Sequence, residues 1–265
     1  MSPMRVIATA RRLDSIQDLR DKGAETLALD VTSPSPKIKE FAEKAIGVYG
    51  QIDILINNAG YLLGGAIEEN TEEEIRAQFD TNFFGIINLT CALLPHLRHR
   101  KTGAIVNVSS QGAYLSISGA GIYCASKAAV DSISEVWARE LAPFNIRCMT
   151  VNLGSFRTAV AGSNTKVPAK GEIEGYEDAH SFVHNFQGGS GQELGDPDKA
   201  ADKIIDLLNL TDKPLPAKLP IGEDAFGNAE RVLDRQSKVL KEYRQYGMGT
   251  NIDGLETEEK WFFLK

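Results

Sequence analysis

The sequence predicts an α/β fold in which a doubly wound parallel sheet carries helices on both faces. Short apolar, β-branched runs recur at residues 6–10, 26–29, 52–56, 104–108 and 146–151. Runs without polar alternation suit strands buried on both sides, as in a parallel sheet. Between them lie longer stretches with helical spacing of apolar residues, which gives the alternation of an α/β domain. Serines and small residues stand where several runs end, at the edge where an open α/β sheet binds ligands.

Bulk properties narrow the class. A chain of 265 residues is long enough for one sizeable domain, so 1–265 is expected to be a single unit. Hydrophobic and charged fractions of 42% and 25% are ordinary for a soluble globular protein. Net charge is −7 with no block of like charges, which argues against nucleic acid or an anionic membrane as partner. No apolar run approaches the ~18–20 residues of a transmembrane helix, and the opening residues lack a signal peptide's pattern. Cys91, Cys124 and Cys148 show no metal-type spacing, so reduced thiols in a cytoplasmic protein without a metal are expected.

In order, the strand at 6–10 ends at Arg11 and Arg12, which either open a solvated helix or offer charge-assisted donors to a phosphate. A helix over 13–22 stops at Gly23, and the next strand exits through Asp30, Val31 and Thr32, where Asp30 can cap a turn. Pro34 and Pro36 precede a helix over 37–49. The strand at 52–56 runs into Asn57, Asn58, Ala59 and Gly60, small and amide residues suited to close approach of backbone to a ligand. Thr71 to Glu74 reads as a capping box. A long helix over 75–98 follows, interrupted near Phe79 and Asp80. It carries Asn82, a mild misfit in a helix, and ends with His96 and His99 favouring its dipole.

The strand at 104–108 delivers Ser109 and Ser110, and a Gly/Ser-rich loop over 111–121 should wall a cleft. In the following helix, to about residue 141, Tyr123 and Lys127 stand four apart on one face. An ammonium beside a phenol favours phenolate and lowers its pKa from roughly 10, which makes a sensible proton donor. Cys124 faces elsewhere, and Val130, Ile133, Val136 and Trp137 form core or a dimer seam. The strand at 146–151 leads through Asn152, Leu153 and Gly154 to Thr158. Residues 159–195 are polar, Gly-rich and poorly periodic, which suits a lid, with Phe182 and Phe186 packing it. His180 and His184 could share a helix face, but no third metal ligand accompanies them. Asp196 and Pro197 open a helix to about 210, residues 216–220 form an edge strand, and a helix runs from about 225 to 246. Residues 250–265 are expected to be a tail, in which Trp261 to Phe263 is an apolar patch.

Ser110, Tyr123 and Lys127 at this spacing, with Asn57 to Gly60 upstream, resemble the short-chain dehydrogenase/reductase family over about residues 5–254. The resemblance implies a Rossmann-like fold and a nicotinamide-dependent oxidoreductase acting on a carbonyl or secondary alcohol. It implies Ser110, Tyr123, Lys127 and Asn82 as the catalytic set, with Asn82 in a proton relay. Cofactor contacts would come from Arg11, Arg12, Asp30, Asn57, Ala59, Gly60, Tyr123, Lys127, Gly154 and Thr158. The two arginines favour NADP(H) over NAD(H), and Leu153 replaces the family's usual proline before Gly154. Members often pair through the two long central helices, so a homodimer or homotetramer is expected. The ending Leu219-Pro-Ile-Gly-Glu-Asp-Ala225 and its helix resemble a fungal-type subgroup of carbonyl reductases.

One part of the family pattern is absent: the first strand, its Gly-rich phosphate turn and the following helix. That strand would lie centrally, between those at 6–10 and 52–56. A truncated sequence is the expected explanation, ahead of direct pairing of the flanking strands or altered cofactor use. Leu62, Leu63, Tyr114, Leu115 and Phe156 suggest a lipophilic substrate. The other class of function is a non-catalytic descendant serving as a binding or assembly module.

Overall fold

The computed structural model describes residues 4–210 and 214–255. Strand β1 (Ile7–Ala10) leads through a 3-10 turn to α1 (Gln17–Asp21) and β2 (Glu25–Ala28). Helix α2 (Ser35–Tyr49) starts behind Pro34 and stops at Gly50, which takes a left-handed conformation. Then come β3 (Ile54–Asn57), the short β4 (Leu62–Leu63) and α3 (Glu72–Phe79), capped by Thr71 and Glu74 as the sequence predicts. A π-helical turn (Asp80–Phe84) joins α3 to α4 (Gly85–Arg100). Next are β5 (Gly103–Ser110), α5 (Gly112–Leu115), α6 (Gly121–Glu140), β6 (Ile146–Leu153) and β7 (Thr165–Lys166). Last are α7 (Glu177–Gly188), α8 (Pro197–Leu208), β8 (Lys218–Ile221), α9 (Glu223–Glu242) and α10 (Arg244–Gly247).

Every strand pairing is parallel, as expected for a Rossmann-like fold. The main sheet has the order β3-β5-β6-β8, and its two faces carry separate cores. Ile105 and Cys148 point to a cluster with α2 and α4, through Ile38, Leu93 and Leu97. Val106 and Val151 point the other way, to Ala200 and Leu208 of α8. This alternation explains why β5 reads as one apolar run. Pro220 lies on the edge strand, whose neighbouring residues 217 and 221 accept the bonds from β6, so its missing N–H faces outward.

Among the described residues, β1 and β2 form a sheet of their own, and neither pairs with β3. Direct pairing of the two flanking strands is therefore excluded. The reason lies in the shared core: Leu29 after β2, Ile38 and Ala42 of α2, Leu55 of β3 and Leu89 of α4 pack in one cluster. The open edge of β3 leaves Ile56 49% exposed.

Three expectations change. The loop at 111–121 contains the helical turn α5, and the segment at 159–195 contains the 12-residue helix α7. His96 accepts a hydrogen bond from the Ile52 amide at 3.2 Å, so it ties α4 to the start of β3 rather than serving the helix dipole. The Trp261 to Phe263 patch lies outside the described residues. No described helix is long and apolar enough to cross a membrane.

Candidate active site

Strands β5, β6 and β8 end together in register, with Ser110 opposite Leu153 and Leu153 opposite Ile221. Helix α6 starts beside that edge and turns Tyr123 and Lys127 toward it. The Ser110 hydroxyl lies close enough to the Tyr123 phenol to favour its ionised form, and its Oγ accepts the Gly112 amide at 3.1 Å. Lys127 Nζ donates to the Val108 carbonyl at 2.8 Å and lies 5.8 Å from the centre of the Tyr123 ring. All three residues line a cavity of about 320 Å³.

Burial pushes the Tyr123 phenol up to about 12, partly offset by the Ser110 hydroxyl. Burial also brings the Lys127 ammonium down to about 8, partly countered by Asp131. Lys127 was expected to lower the phenol's pKa, and the structure corrects this: the ammonium is turned to a carbonyl, and desolvation dominates both groups. Asp131, one turn beyond Lys127, is itself held by Lys218 at 2.9 Å and by Asn152 Nδ2 at 2.9 and 3.0 Å.

Asn82 lies in the π-helical turn and is fully buried. The extra residue in that turn lets the side chain reach back to the loop after β3, where it accepts from Tyr61 N at 3.1 Å and donates to Tyr61 O at 3.0 Å. Gly60 stands against this pair: a Cβ there would meet Asn82 Oδ1 at 3.1 Å and Lys127 Nζ at 3.5 Å. Asn57 does not face the cavity. Its Nδ2 donates inward to Thr90 and Asn107, at 3.0 and 2.8 Å. Asn58, read as part of that turn but not among the expected cofactor contacts, lines the cavity with Gly60, whereas Ala59 is exposed beside them.

Gly154 and Thr158 line the same cavity. Sequence reasoning missed what holds them. Asp224 accepts from Ser155 N at 2.8 Å and from Gln111 Nε2 at 3.0 Å, so the start of α9 pins the exits of β5 and β6 together. The signal was available in the motif ending Gly222-Glu-Asp-Ala225. Of the apolar residues expected around the cleft, Leu62 and Phe156 line it, and Leu63, Tyr114 and Leu115 do not. Phe182 and Phe186 do, stacked at 5.6 Å. Glu193 was also missed; it lines the cavity with a buried Oε1 that has no hydrogen-bond partner. His180 and His184 are bonded to Glu69 and Glu172, and no described cluster is placed to hold a metal.

This geometry agrees with the comparisons to known proteins. The family pattern described as short chain dehydrogenase matches residues 2–168. The chain belongs to the short-chain dehydrogenase family. It is 34% identical over 245 residues to oxidoreductase BOA17 of Botryotinia fuckeliana, covering 89% of this chain and 88% of that one. Over 161 residues it is 41% identical to a 3-ketodihydrosphingosine reductase of Bacteroides thetaiotaomicron, a match spanning 61% of this chain but only 59% of the relative. A solved short-chain dehydrogenase from Streptomyces avermitilis is 38% identical, with a TM-score of 0.85 over 93% of this chain and 89% of its own. More distant structures sharing the fold, 24% and 19% identical, hold NADP and NAD respectively.

For a short-chain dehydrogenase, the residues present fit one half of a nicotinamide dinucleotide. Gly60, Gly154, Thr158 and Lys127 line the cavity with Tyr123, and glycine backbone beside an ammonium suits a ribose and a flat ring there. The other half is less furnished. Arg11 and Arg12 lie exposed at the end of β1, and Arg12 is 3.9 Å from Asp14. Asp30 is occupied locally, its carboxylate taking Thr32 N at 2.9 Å and Thr32 Oγ1 at 2.7 Å, which holds it below the usual carboxylate range.

Proposed function

We propose that this short-chain dehydrogenase reduces a lipophilic carbonyl compound, or oxidises the corresponding secondary alcohol, with NADP(H). The convergence of Ser110, Tyr123 and Lys127 on one cavity carries the reading. A carbonyl oxygen placed between the two hydroxyls receives hydrogen bonds from both. Tyr123 passes its proton to that oxygen, and Ser110 holds the oxygen in place. The nicotinamide supplies the hydride when bound. Lys127, free to turn from the Val108 carbonyl, binds the ribose hydroxyls and favours the phenolate that proton transfer leaves behind. Asn82 fixes the Tyr61 loop and the π-helical turn through which a proton reaches Lys127. Arg11 and Arg12 favour a 2′-phosphate at the adenosine end.

The substrate end supports the lipophilic assignment. Leu62, Val160, Phe182 and Phe186 surround Tyr123 on that side. Residues 159–195 act as the lid, and Glu193 Oε1 can accept one donor from the bound molecule. A non-catalytic assembly role draws on the open sheet between β1 and β3. Against it stands the Ser110–Tyr123 contact, which such a role would not need.

The test is NADPH consumption over a panel of aryl and long-chain ketones. It uses this chain and a version extended by the strand, Gly-rich turn and helix of a relative. Tyr123→Phe should lower kcat by about 10²–10⁴ with little change in thermal midpoint. Undiminished activity in that variant, or no NADPH binding by either form, refutes the reading.

A further inference from the structure

Glu69 ends a 3-10 turn (Ile67–Glu69) and is completely buried, at 0% exposure. Its carboxylate is engaged by three donors. Oε2 accepts the Ala66 amide at 2.7 Å, within its own turn. Oε1 accepts the Ile173 amide at 2.7 Å and His180 Nε2 at 2.6 Å, both from the 159–195 segment. The neighbouring acids make further ties to that segment: Glu74 accepts the Ala169 amide at 2.9 Å, and Glu68 accepts the Tyr176 hydroxyl. Strand β4 pairs with β7 beside them. Glu68, Glu69 and Glu74 thus form a docking strip for a segment about a hundred residues later.

Helix α7 connects this strip to the cavity. It carries His180 on one side, and Phe182 and Phe186 stacked against the space in front of Tyr123. A rigid helix held at His180 has both rings placed.

We propose that Glu69 is a positioning residue: by gripping His180 and the Ile173 amide it holds α7 over the cavity and sets which substrates reach Tyr123. This rests on the reading of 159–195 as the lid of a carbonyl reductase. The grip depends on pH. His180 is faced by Glu69 from the 3-10 turn, by Glu172 from the preceding loop at 3.8 Å, and by Glu177 of its own helix. Glu172 is shared with His184 at 2.7 Å. The hydrogen bond to Glu69 leads in raising His180 above the ordinary histidine value. Burial alone would raise Glu69, but its bonds from Ile173, His180 and Ala66 outweigh that and keep it below its usual range. The charged pair therefore persists to higher pH than an ordinary histidine would allow. As pH rises through the elevated His180 value, only a neutral hydrogen bond remains.

Hydrogen exchange of the peptides covering 165–188 tests the latch without needing turnover. Glu69→Gln and His180→Gln should raise exchange there about tenfold, while the peptides of β5 and β6 keep wild-type protection. Wild-type lid exchange, corrected for intrinsic rates, should rise further between pH 6 and 9, and His180→Gln should flatten that rise. With an aryl ketone, both variants should raise KM several-fold and leave kcat within twofold. Unchanged lid exchange in both variants overturns the proposal. So does equal loss of protection in β5 and β6, which would make Glu69 a general structural residue. Should no ketone be turned over while the exchange pattern holds, the latch stands and the catalytic reading falls.

Discussion

Replacing Gly154 by alanine tests the claim that Asp224 shapes the cofactor side of the cavity. The glycine is required sterically, since its φ is not in the left-handed region: an added Cβ would lie 2.0 Å from Asp224 Oδ1 and 2.7 Å from its Cγ. A carboxylate at the end of a short side chain can rotate away, but only by releasing Ser155 N and Gln111 Nε2. Asp224 is exposed, so each bond contributes toward the low end of the range for charged acceptors. Together they amount to about 1–2 kcal/mol. For a chain of this size that shifts the thermal midpoint by roughly 2–8 °C. Asp224→Ala should cost about the same by losing the same two bonds. The double variant should cost no more than either single one, because the alanine Cβ then meets nothing and the bonds are already gone. The assay is thermal denaturation of the four proteins at neutral pH. Additive losses, or a Gly154→Ala protein as stable as wild type, would show that the two side chains do not compete for one space.

Lys127 is a charge buried at 4% exposure with one carbonyl acceptor, so Lys127→Met should abolish turnover yet hold or raise the thermal midpoint at pH 7. Its folded pKa of about 8 lies below the unfolded value near 10.5, so the unfolded chain binds more protons between them and wild-type stability should rise with pH across that window. A Lys127→Met protein that melts well below wild type, or no such rise in denaturant titrations, contradicts this. Arg11→Ala with Arg12→Ala should weaken NADPH binding at least tenfold and NADH binding little, read by fluorescence titration. Equal losses for both cofactors would remove the 2′-phosphate assignment.

Much of the fold was legible because burial on two sides leaves an unmistakable mark. Strand β5 lies between two cores and reads as an unbroken apolar run, and Thr71 caps α3 through a purely local pattern. Helix α7 was not legible, since its buried residues are only Ala179 and Val183, among polar neighbours. Asn57 and Asn58 were not separable by type. Asn57 continues the inward register of β3, and the next residue faces the cavity. Glu68, Glu69 and Glu74 also bind partners about a hundred residues away, a separation that no periodicity reports.

By itself the sequence put Tyr123 and Lys127 on one helix face, because four-residue spacing is local geometry, and the resemblance to the family added Ser110 at the end of the preceding strand. The sequence also determined the parallel α/β class, through apolar runs that only two-sided burial explains. Tertiary structure alone decided that burial leads the shift of both Tyr123 and Lys127 away from their ordinary values. It alone decided that β1 and β2 stand apart from the main sheet, held there by the α2 and α4 core. Both depend on which distant atoms share a dry interior, and that is a property of packing rather than of order along the chain.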